Sequence, residues 1–153
     1  MSRPVVSART TVAAPPEVVF AIVADARQHQ RIDGSGTVRG TLAAPDRLVL
    51  GAEFRTDMRW VTPYRMTNRV VEFDEDRLIA WRHIGRHRWR YELEPVTGGT
   101  LVTETWDATA YSSAAHLFFG LFRFPQRNLR SIEETLVRLR AAAEADAAAG
   151  VSS

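Results

Sequence analysis

The sequence contains no cysteine and no lysine, and each absence excludes a class of chemistry. Without cysteine there are no disulfides, no thiolate ligands for a metal and no thiol nucleophile. Without lysine there is no Schiff-base chemistry and no Walker-type phosphate loop. All 20 basic residues are therefore arginines, which raises the pI to about 9.6 although the net charge is only +2. The high pI is thus no indication of nucleic-acid binding.

The chain also lacks long apolar runs and a visible leader segment. No run approaches the roughly 20 apolar residues that a membrane-spanning helix needs, so no transmembrane segment is predicted. Residues 1–6 show no charged segment followed by an apolar one, and we therefore expect a cytoplasmic protein. A length of 153 residues suits a single domain, 1–153, with an ordered core of about residues 4–145.

The first part of the chain predicts one strand followed by two short helices. Residues 5–12 are rich in β-branched side chains, which favours a strand. Residues 14–17 combine two prolines with a glutamate before an apolar segment, which is typical of a helix N-terminus. Residues 25–32 predict a second short helix, and Gly34 and Gly36 end it.

The middle of the chain predicts antiparallel strands joined by short turns. Apolar and charged side chains alternate along residues 53–60 and 88–94, a period of two that indicates half-buried strands. Residues 64–73 predict another strand, but its apolar phase is unclear. Gly98 and Gly99 indicate a tight hairpin. Further strands at residues 37–42, 78–83 and 101–108 complete a sheet of about seven strands.

The last part of the chain predicts two helices. Residues 114–121 form a short apolar helix, which Pro125 separates from a longer one. The longer helix carries one apolar stripe, formed by Leu129, Ile132, Leu136, Leu139 and Ala143. Arg130, Glu134 and Arg138 lie four apart on another face and can pair along it. The alanine-rich tail from residue 145 is expected to fray.

This order of elements predicts an α+β domain of the helix-grip type. Its curved antiparallel sheet of about seven strands would wrap around the long C-terminal helix, with two short helices after the first strand. The sheet has one apolar face, and the C-terminal helix is the only element long enough to cover it. Where sheet and helix diverge, we expect a cavity for a small apolar ligand.

Three segments resemble a known superfamily. They are residues 12–20, which match a strand-to-helix junction, residues 77–83, which match a central strand, and residues 98–105, which match the last hairpin. Over about residues 4–145 the chain resembles the SRPBCC superfamily, which includes START-type lipid-binding domains and polyketide cyclase/dehydrase-like proteins. The resemblance implies the helix-grip fold and a ligand cavity between sheet and helix. Ile32 stands where relatives often carry tryptophan, which argues against an aromatic lid there.

Several aromatic side chains are assigned to the inner face of the sheet. They are Trp60, Trp81, Trp89, Tyr91 and Trp106. Core packing would explain each of them alone, but together they exceed what packing against one helix faced by leucine and alanine requires. A wall of indole rings suits a flat or extended apolar ligand. The predicted binding site consists of these five residues together with His83, Glu104 and Asn128.

Glu104 is the strongest candidate for chemistry in this site. If Val102 and Trp106 point inward, strand alternation turns Glu104 inward as well. A buried carboxyl group needs a partner or shifts to its neutral form, and it could orient a ligand hydroxyl or act as a general acid or base. Its expected partners are Tyr91, His83 and Asn128. In the opposite phase Glu104 would lie in solvent, and the inward residues would be Leu101, Thr103 and Thr105.

No metal, other cofactor or nucleic acid is predicted. His83 and His87 flank the predicted turn at residues 84–86 and could face one another, but two histidines without a fixed third ligand are a weak metal signal. The arginines at positions 82, 86, 88 and 90 alternate with aromatic residues on opposite faces of a strand, whereas single-strand binders need both on one face. No G-x-S-x-G or G-x-G-x-x-G motif occurs.

Three functions remain open from the sequence. The first is binding of a small hydrophobic ligand, such as a lipid or polyketide, in the predicted cavity. The alternative is a polyketide cyclase/dehydrase-type enzyme in which Glu104 moves protons with Tyr91 or His83. The third is a ligand-sensing partner protein. The apolar segment 116–124 would close the mouth of the barrel, or form a lid, a homodimer contact or a membrane-touching patch.

Overall fold

The computed structural model describes residues 5–83 and 85–150 and confirms the predicted order of elements. Along the chain these are β1 (Val5–Val12), α1 (Pro16–Val23), a 3₁₀ turn (Ala26–Gln28), α2 (His29–Ile32), β2 (Val38–Ala43), β3 (Glu53–Arg59), β4 (Pro63–Asp74), β5 (Leu78–Arg82), β6 (Arg88–Val96), β7 (Gly99–Asp107), α3 (Ser113–Leu121) and α4 (Phe124–Ala148). No described helix is both long and apolar enough to cross a membrane.

The seven strands form one antiparallel sheet in the order β1-β7-β6-β5-β4-β3-β2. The α+β helix-grip fold expected from the sequence is therefore confirmed. The hairpin between β6 and β7 turns at Gly98, whose φ of +82° is a left-handed conformation that favours glycine. At the neighbouring Gly99, a side chain would collide with the carbonyl group of Val12, so this glycine lets β7 and the end of β1 approach closely.

The long helix α4 covers the inner face of the sheet along its β1 edge. It packs on β1 and also contacts β7, α1, α2 and α3. Ile132, Leu136, Leu139 and Ala143 are buried as the predicted stripe requires, while Leu129 is half-buried. The fraying expected from residue 145 is not seen at that point, because the helix continues to Ala148.

The loop after α2 lies close to helix α4, and Gly34 allows this close approach. The predicted helix at residues 25–32 is split into the 3₁₀ turn and the single turn of α2. Beyond it, the amide of Gly34 donates a hydrogen bond of 2.9 Å to Oγ1 of Thr135 on α4. A Cβ atom on Gly34 would overlap the backbone of Ser131 and Thr135. The loop therefore lies directly on the backbone of α4.

Strand β4 contains a bulge, which explains its unclear apolar phase in the sequence. Val70 pairs with Trp81 and Glu72 pairs with Ala80, which leaves Val71 without a partner across the ladder. On the far side of the bulge Phe73 faces inward, and its ring packs edge-on against Phe20 of α1 at 5.7 Å between centroids.

Candidate functional site

Strands β5, β6 and β7 bring most of the predicted site residues to one face. Trp81 lies opposite Trp89, and Trp89 lies opposite Trp106. Tyr91, two residues after Trp89 on β6, lies opposite Glu104 on β7. Because alternate residues of a strand share a face, all five side chains point toward the interior. The inward phase of Glu104 is thus confirmed, and the opposite phase is excluded.

Glu104 and Tyr91 form a buried hydrogen-bonded pair. Glu104 is only 3% exposed, and its Oε1 accepts a hydrogen bond of 2.8 Å from the hydroxyl of Tyr91. Its other oxygen, Oε2, has no hydrogen-bond partner among the described residues. Burial raises the pKa of Glu104 to about 8, although the bond from Tyr91 acts in the opposite direction. At neutral pH the group is therefore mainly a neutral carboxylic acid with one free end.

A continuous set of aromatic rings lies beside this pair. Trp81 stacks on Tyr91 at 5.5 Å and on His29 at 4.8 Å between ring centroids. Phe54 meets both Trp81 and His29 edge-on, at 5.7 Å and 5.4 Å. These rings come from α2, β3, β5 and β6, so elements distant in sequence together form a mostly apolar wall.

His29 belongs to this wall, although it was not predicted from the sequence. The residue is buried, and its Nε2 lies 2.8 Å from the carbonyl oxygen of Val23. Since a carbonyl only accepts, Nε2 carries the hydrogen and Nδ1 has none in the neutral ring. Burial lowers the pKa of His29, which favours that neutral ring. One signal was available, because His29 lies three residues before the buried Ile32 and so shares its helix face.

His83, the histidine predicted for the site, belongs to a separate cluster near the start of β6. His83 and His87 are 4.5 Å apart between centroids, and His87 also lies beside Trp106. Nδ1 of His87 is 3.0 Å from the hydroxyl of Tyr111. Burial and the neighbouring His83 lower the pKa of His87 to about 4. In the described part of the chain no three potential metal ligands lie together.

Two expected partners of Glu104 do not hydrogen-bond to it, and one predicted aromatic residue lies outside the buried wall. His83 and Asn128 are half-buried, and neither hydrogen-bonds to Glu104 within residues 5–83 and 85–150. Trp60 was predicted to line the site, but it does not belong to the buried aromatic wall. Strand β3 ends at Arg59, and the chain then reverses, which leaves Trp60 59% exposed.

Two surface depressions lie on the outer face of the sheet. The larger of the two, of about 660 Å³, is lined by charged side chains such as Arg77, Glu92 and Glu94 together with apolar ones. It is therefore distinct from the predicted cavity between sheet and α4, which stays a prediction. On the inner face, burial decreases along β3 and β4 from the buried Asn68 to the half-buried Met66. Coverage of the inner face therefore decreases toward this end of the sheet.

Comparisons with known proteins identify the family of the chain. A family model described as polyketide cyclase/dehydrase and lipid transport matches residues 3–144. The chain belongs to this family. The assignment confirms the resemblance to the SRPBCC superfamily. The Rv0088 protein of Mycobacterium tuberculosis is 43% identical to this chain over 138 residues. The matched segment is 88% of this chain and 62% of that protein. The chain thus spans about three fifths of the length of the curated relatives it matches.

Solved structures of the same architecture agree with the family assignment. Protein NE0264 from Nitrosomonas europaea has a TM-score of 0.70 at 14% identity, with 94% of this chain and 96% of that chain covered. The AHSA1-like protein from Aeromonas hydrophila has a TM-score of 0.63 at 17% identity, with 97% and 95% covered. At these identities the likeness shows the fold of this chain and nothing more specific.

Proposed function

We propose that the protein binds a small, mainly apolar ligand at the inner face of the sheet, with the Tyr91–Glu104 pair as the polar end of the site. One observation carries the proposal: Oε2 of Glu104 is buried and has no partner among the described residues. Leaving a buried polar group unpaired costs about 1–3 kcal/mol. Buried polar groups are usually paired with protein, ordered water or a ligand, so a ligand atom is a natural partner here.

The charge of the site supports a neutral ligand. Burial favours the uncharged forms of both Glu104 and His29, since it raises the pKa of the first and lowers the pKa of the second. Trp81 and Phe54 add large apolar surfaces and no charge. A charged ligand would lose its hydration without gaining an ionic partner in this set. A flat apolar molecule would instead lie against the stacked rings.

The free end of Glu104 also defines a polar group that the ligand should carry. Oε1 is occupied by Tyr91, so the acid proton of the neutral carboxyl group is available on Oε2. An O–H donor is matched by an acceptor such as a ketone oxygen. We therefore expect a ligand with a carbonyl or similar oxygen at one end of an apolar frame.

A matched pair of probes tests this function. α-Tetralone and tetralin share a fused-ring frame, but only the ketone can accept a hydrogen bond. We expect the protein to bind the ketone about tenfold more tightly, the effect of one net hydrogen bond. Glu104→Gln should keep this preference, because its amide can still donate, and Glu104→Leu should abolish it. Thr103→Val, on the outer face of the same strand, is the control and should change nothing.

The two ways of failing have different meanings. If neither compound binds, as measured by calorimetry and by quenching of tryptophan fluorescence, the proposed function fails. If both bind and Glu104→Leu leaves the ketone preference intact, the protein binds apolar molecules but Glu104 is not the polar end of the site.

A second candidate function is catalysis of the cyclase/dehydrase kind. It is favoured by the same carboxyl group, because a pKa of about 8 places an acid near neutral pH, where proton transfer is efficient. In a dehydration of a β-hydroxyketone, the O–H of Glu104 would protonate the substrate hydroxyl as the C–O bond breaks and water leaves. The resulting Glu104 carboxylate would take the proton of the α-carbon, the electron pair of that C–H bond would form the C=C bond, and Glu104 would regain its acid form. Glu104→Gln separates the two functions, since α-tetralone binding should survive this change and turnover of a β-hydroxyketone substrate should not.

A further inference from the structure

Helix α3 presents an apolar surface that the rest of the described chain leaves open. No residue of α3 is buried, and Leu117 and Leu121 are 68% and 74% exposed. Phe118 and Phe122 are also exposed. The helix is nevertheless held in place, because Phe119 packs on Trp106 and Tyr111 of the domain. The apolar surface therefore has a fixed position on the molecule.

Positive charge without compensation lies around this helix. Residues 108–132 contain no aspartate or glutamate, but they contain Arg123, Arg127 and Arg130. Within the described residues, none of these three arginines has a carboxylate oxygen within 4.0 Å. Elsewhere on the surface arginines do pair with acids, as Arg90 does with Glu72 at 2.8 Å. The arginines near α3 thus remain available to an external anion.

The loop between β3 and β4 extends the same surface. Trp60 and Val61 at its tip are 59% and 80% exposed. The guanidinium group of Arg127 lies 5.1 Å from the ring of Trp60 and 5.7 Å from the ring of Phe124, so it joins the loop to the start of α4. We call the combined surface the basic rim, and it consists of residues 60–61, α3 and residues 122–130.

We propose that the basic rim docks on the surface of an anionic lipid bilayer. A segment lies at the boundary between headgroups and acyl chains when it combines exposed leucine, phenylalanine and tryptophan with arginines. The basic rim has this combination, and its arginines are unpaired. The arginines would lie at the level of anionic headgroups while the apolar side chains insert between them. A second copy of the chain fits less well, because a symmetric contact would bring two sets of unpaired arginines together.

Vesicle binding tests the proposal on the whole chain. The protein is sedimented with vesicles of phosphatidylcholine and phosphatidylglycerol, and separately with vesicles of phosphatidylcholine alone. We expect binding to the anionic vesicles, weak binding to the neutral ones, and a loss of binding at high salt. Leu117→Ser combined with Leu121→Ser should weaken binding by about tenfold or more. Arg123→Asn and Arg130→Gln should each weaken it by about fivefold.

Matched variants keep the test specific. Leu50→Ser removes a leucine that is 63% exposed in the loop next to β3, and Arg9→Gln removes an exposed arginine on β1. Both should bind anionic vesicles like the unmodified protein. Asparagine is chosen at Arg123 because it tolerates the left-handed φ of 58° there. Equal urea midpoints for all variants show that folding is intact.

Three results would overturn the proposal. One is the absence of binding to anionic vesicles. Another is binding that the double leucine variant leaves unchanged. The last is a dimer on gel filtration that the same variant converts to a monomer, which would make the basic rim a contact between two copies.

Discussion

Tyr91 and Glu104 face each other from directly paired positions on β6 and β7, and a hydrogen bond of 2.8 Å joins their side chains. Since the ladder fixes both backbones, the carboxyl group keeps one oxygen bound and the other free. Burial of such a group favours its protonated form. The pair therefore links the stability of the fold to pH, and under the proposed function it also links ligand binding to pH.

The first prediction concerns the pH dependence of stability. The folded pKa of Glu104 is about 8 and its ordinary value is 4.5, so between these values the folded state holds a proton that the unfolded state has lost. Stability should then fall as pH rises through this window, by up to about 1.4 kcal/mol per pH unit. Glu104→Gln cannot titrate and should lack this decline. Urea unfolding of both proteins at several pH values provides the comparison.

The difference between the two proteins isolates Glu104 from the histidines. The pKa values of His29, His83 and His87 are lowered by burial, so their effect has the opposite sign and appears as pH falls below 6.5. Both proteins share this effect, and it cancels in the difference. Parallel pH profiles for Glu104→Gln and the unmodified protein would contradict the assignment.

The second prediction concerns the bond from Tyr91. In Tyr91→Phe the carboxylate loses the donor that stabilises its charged form, so the pKa of Glu104 should rise further. The loss of the bond should also cost about 1–2 kcal/mol of stability. Carbon-13 NMR titration of the Glu104 carboxyl carbon measures the pKa directly. An unchanged titration in the phenylalanine variant would mean that the bond is not formed in solution.

The third prediction concerns ligand preference as a function of pH. Above the pKa of about 8, Glu104 loses the proton that would meet a ketone oxygen. The preference for α-tetralone over tetralin should therefore disappear well above that pH in the unmodified protein. In Glu104→Gln it should persist, because the amide donor does not titrate. Binding constants from calorimetry on both sides of the transition decide the question.

The fourth prediction concerns Gly34. Alanine at this position would place its Cβ against the backbone of Ser131 and Thr135, so we expect a loss of about 1–3 kcal/mol from overpacking. Gly40→Ala is the control, because the nearest atom to its Cβ would be 3.8 Å away. The control should stay within about 0.5 kcal/mol of the unmodified protein. Equal urea midpoints for the two variants would show that the close approach of the loop to α4 is not maintained.

The sequence predicted the elements well because their signals are local. Alternation along β6 and β7 correctly turned Tyr91 and Glu104 inward, and the apolar stripe of α4 correctly marked the covered side of that helix. The prediction failed at Trp60. The alternating pattern in the sequence includes this residue, but strand β3 ends one residue earlier, at Arg59. A strand end depends on where the partner strand turns back, and the pattern of one strand does not contain that information.

The composition of the site was harder to predict than its strands. His29 joins Trp81 only because α2 folds over the inner face of the sheet, and no local pattern specifies that contact. The pairing of His83 with Glu104 was wrong for a related reason. His83 lies beyond the end of β5 and packs on His87 instead, away from the Tyr91–Glu104 pair. Contacts between elements depend on tertiary geometry, which a single sequence constrains weakly.

The unpaired Val71 in β4 decides which of its neighbours meet water. With this residue set aside from the ladder, Glu72 stays on the outer face and binds Arg90, while Phe73 stays inside against Phe20. Deletion of Val71 would keep both contacts, because Val70 and Glu72 would then be consecutive residues paired in regular register. A chain that kept Val71 in regular alternation would instead exchange the two, with an acid in the apolar interior and a phenyl ring in solvent.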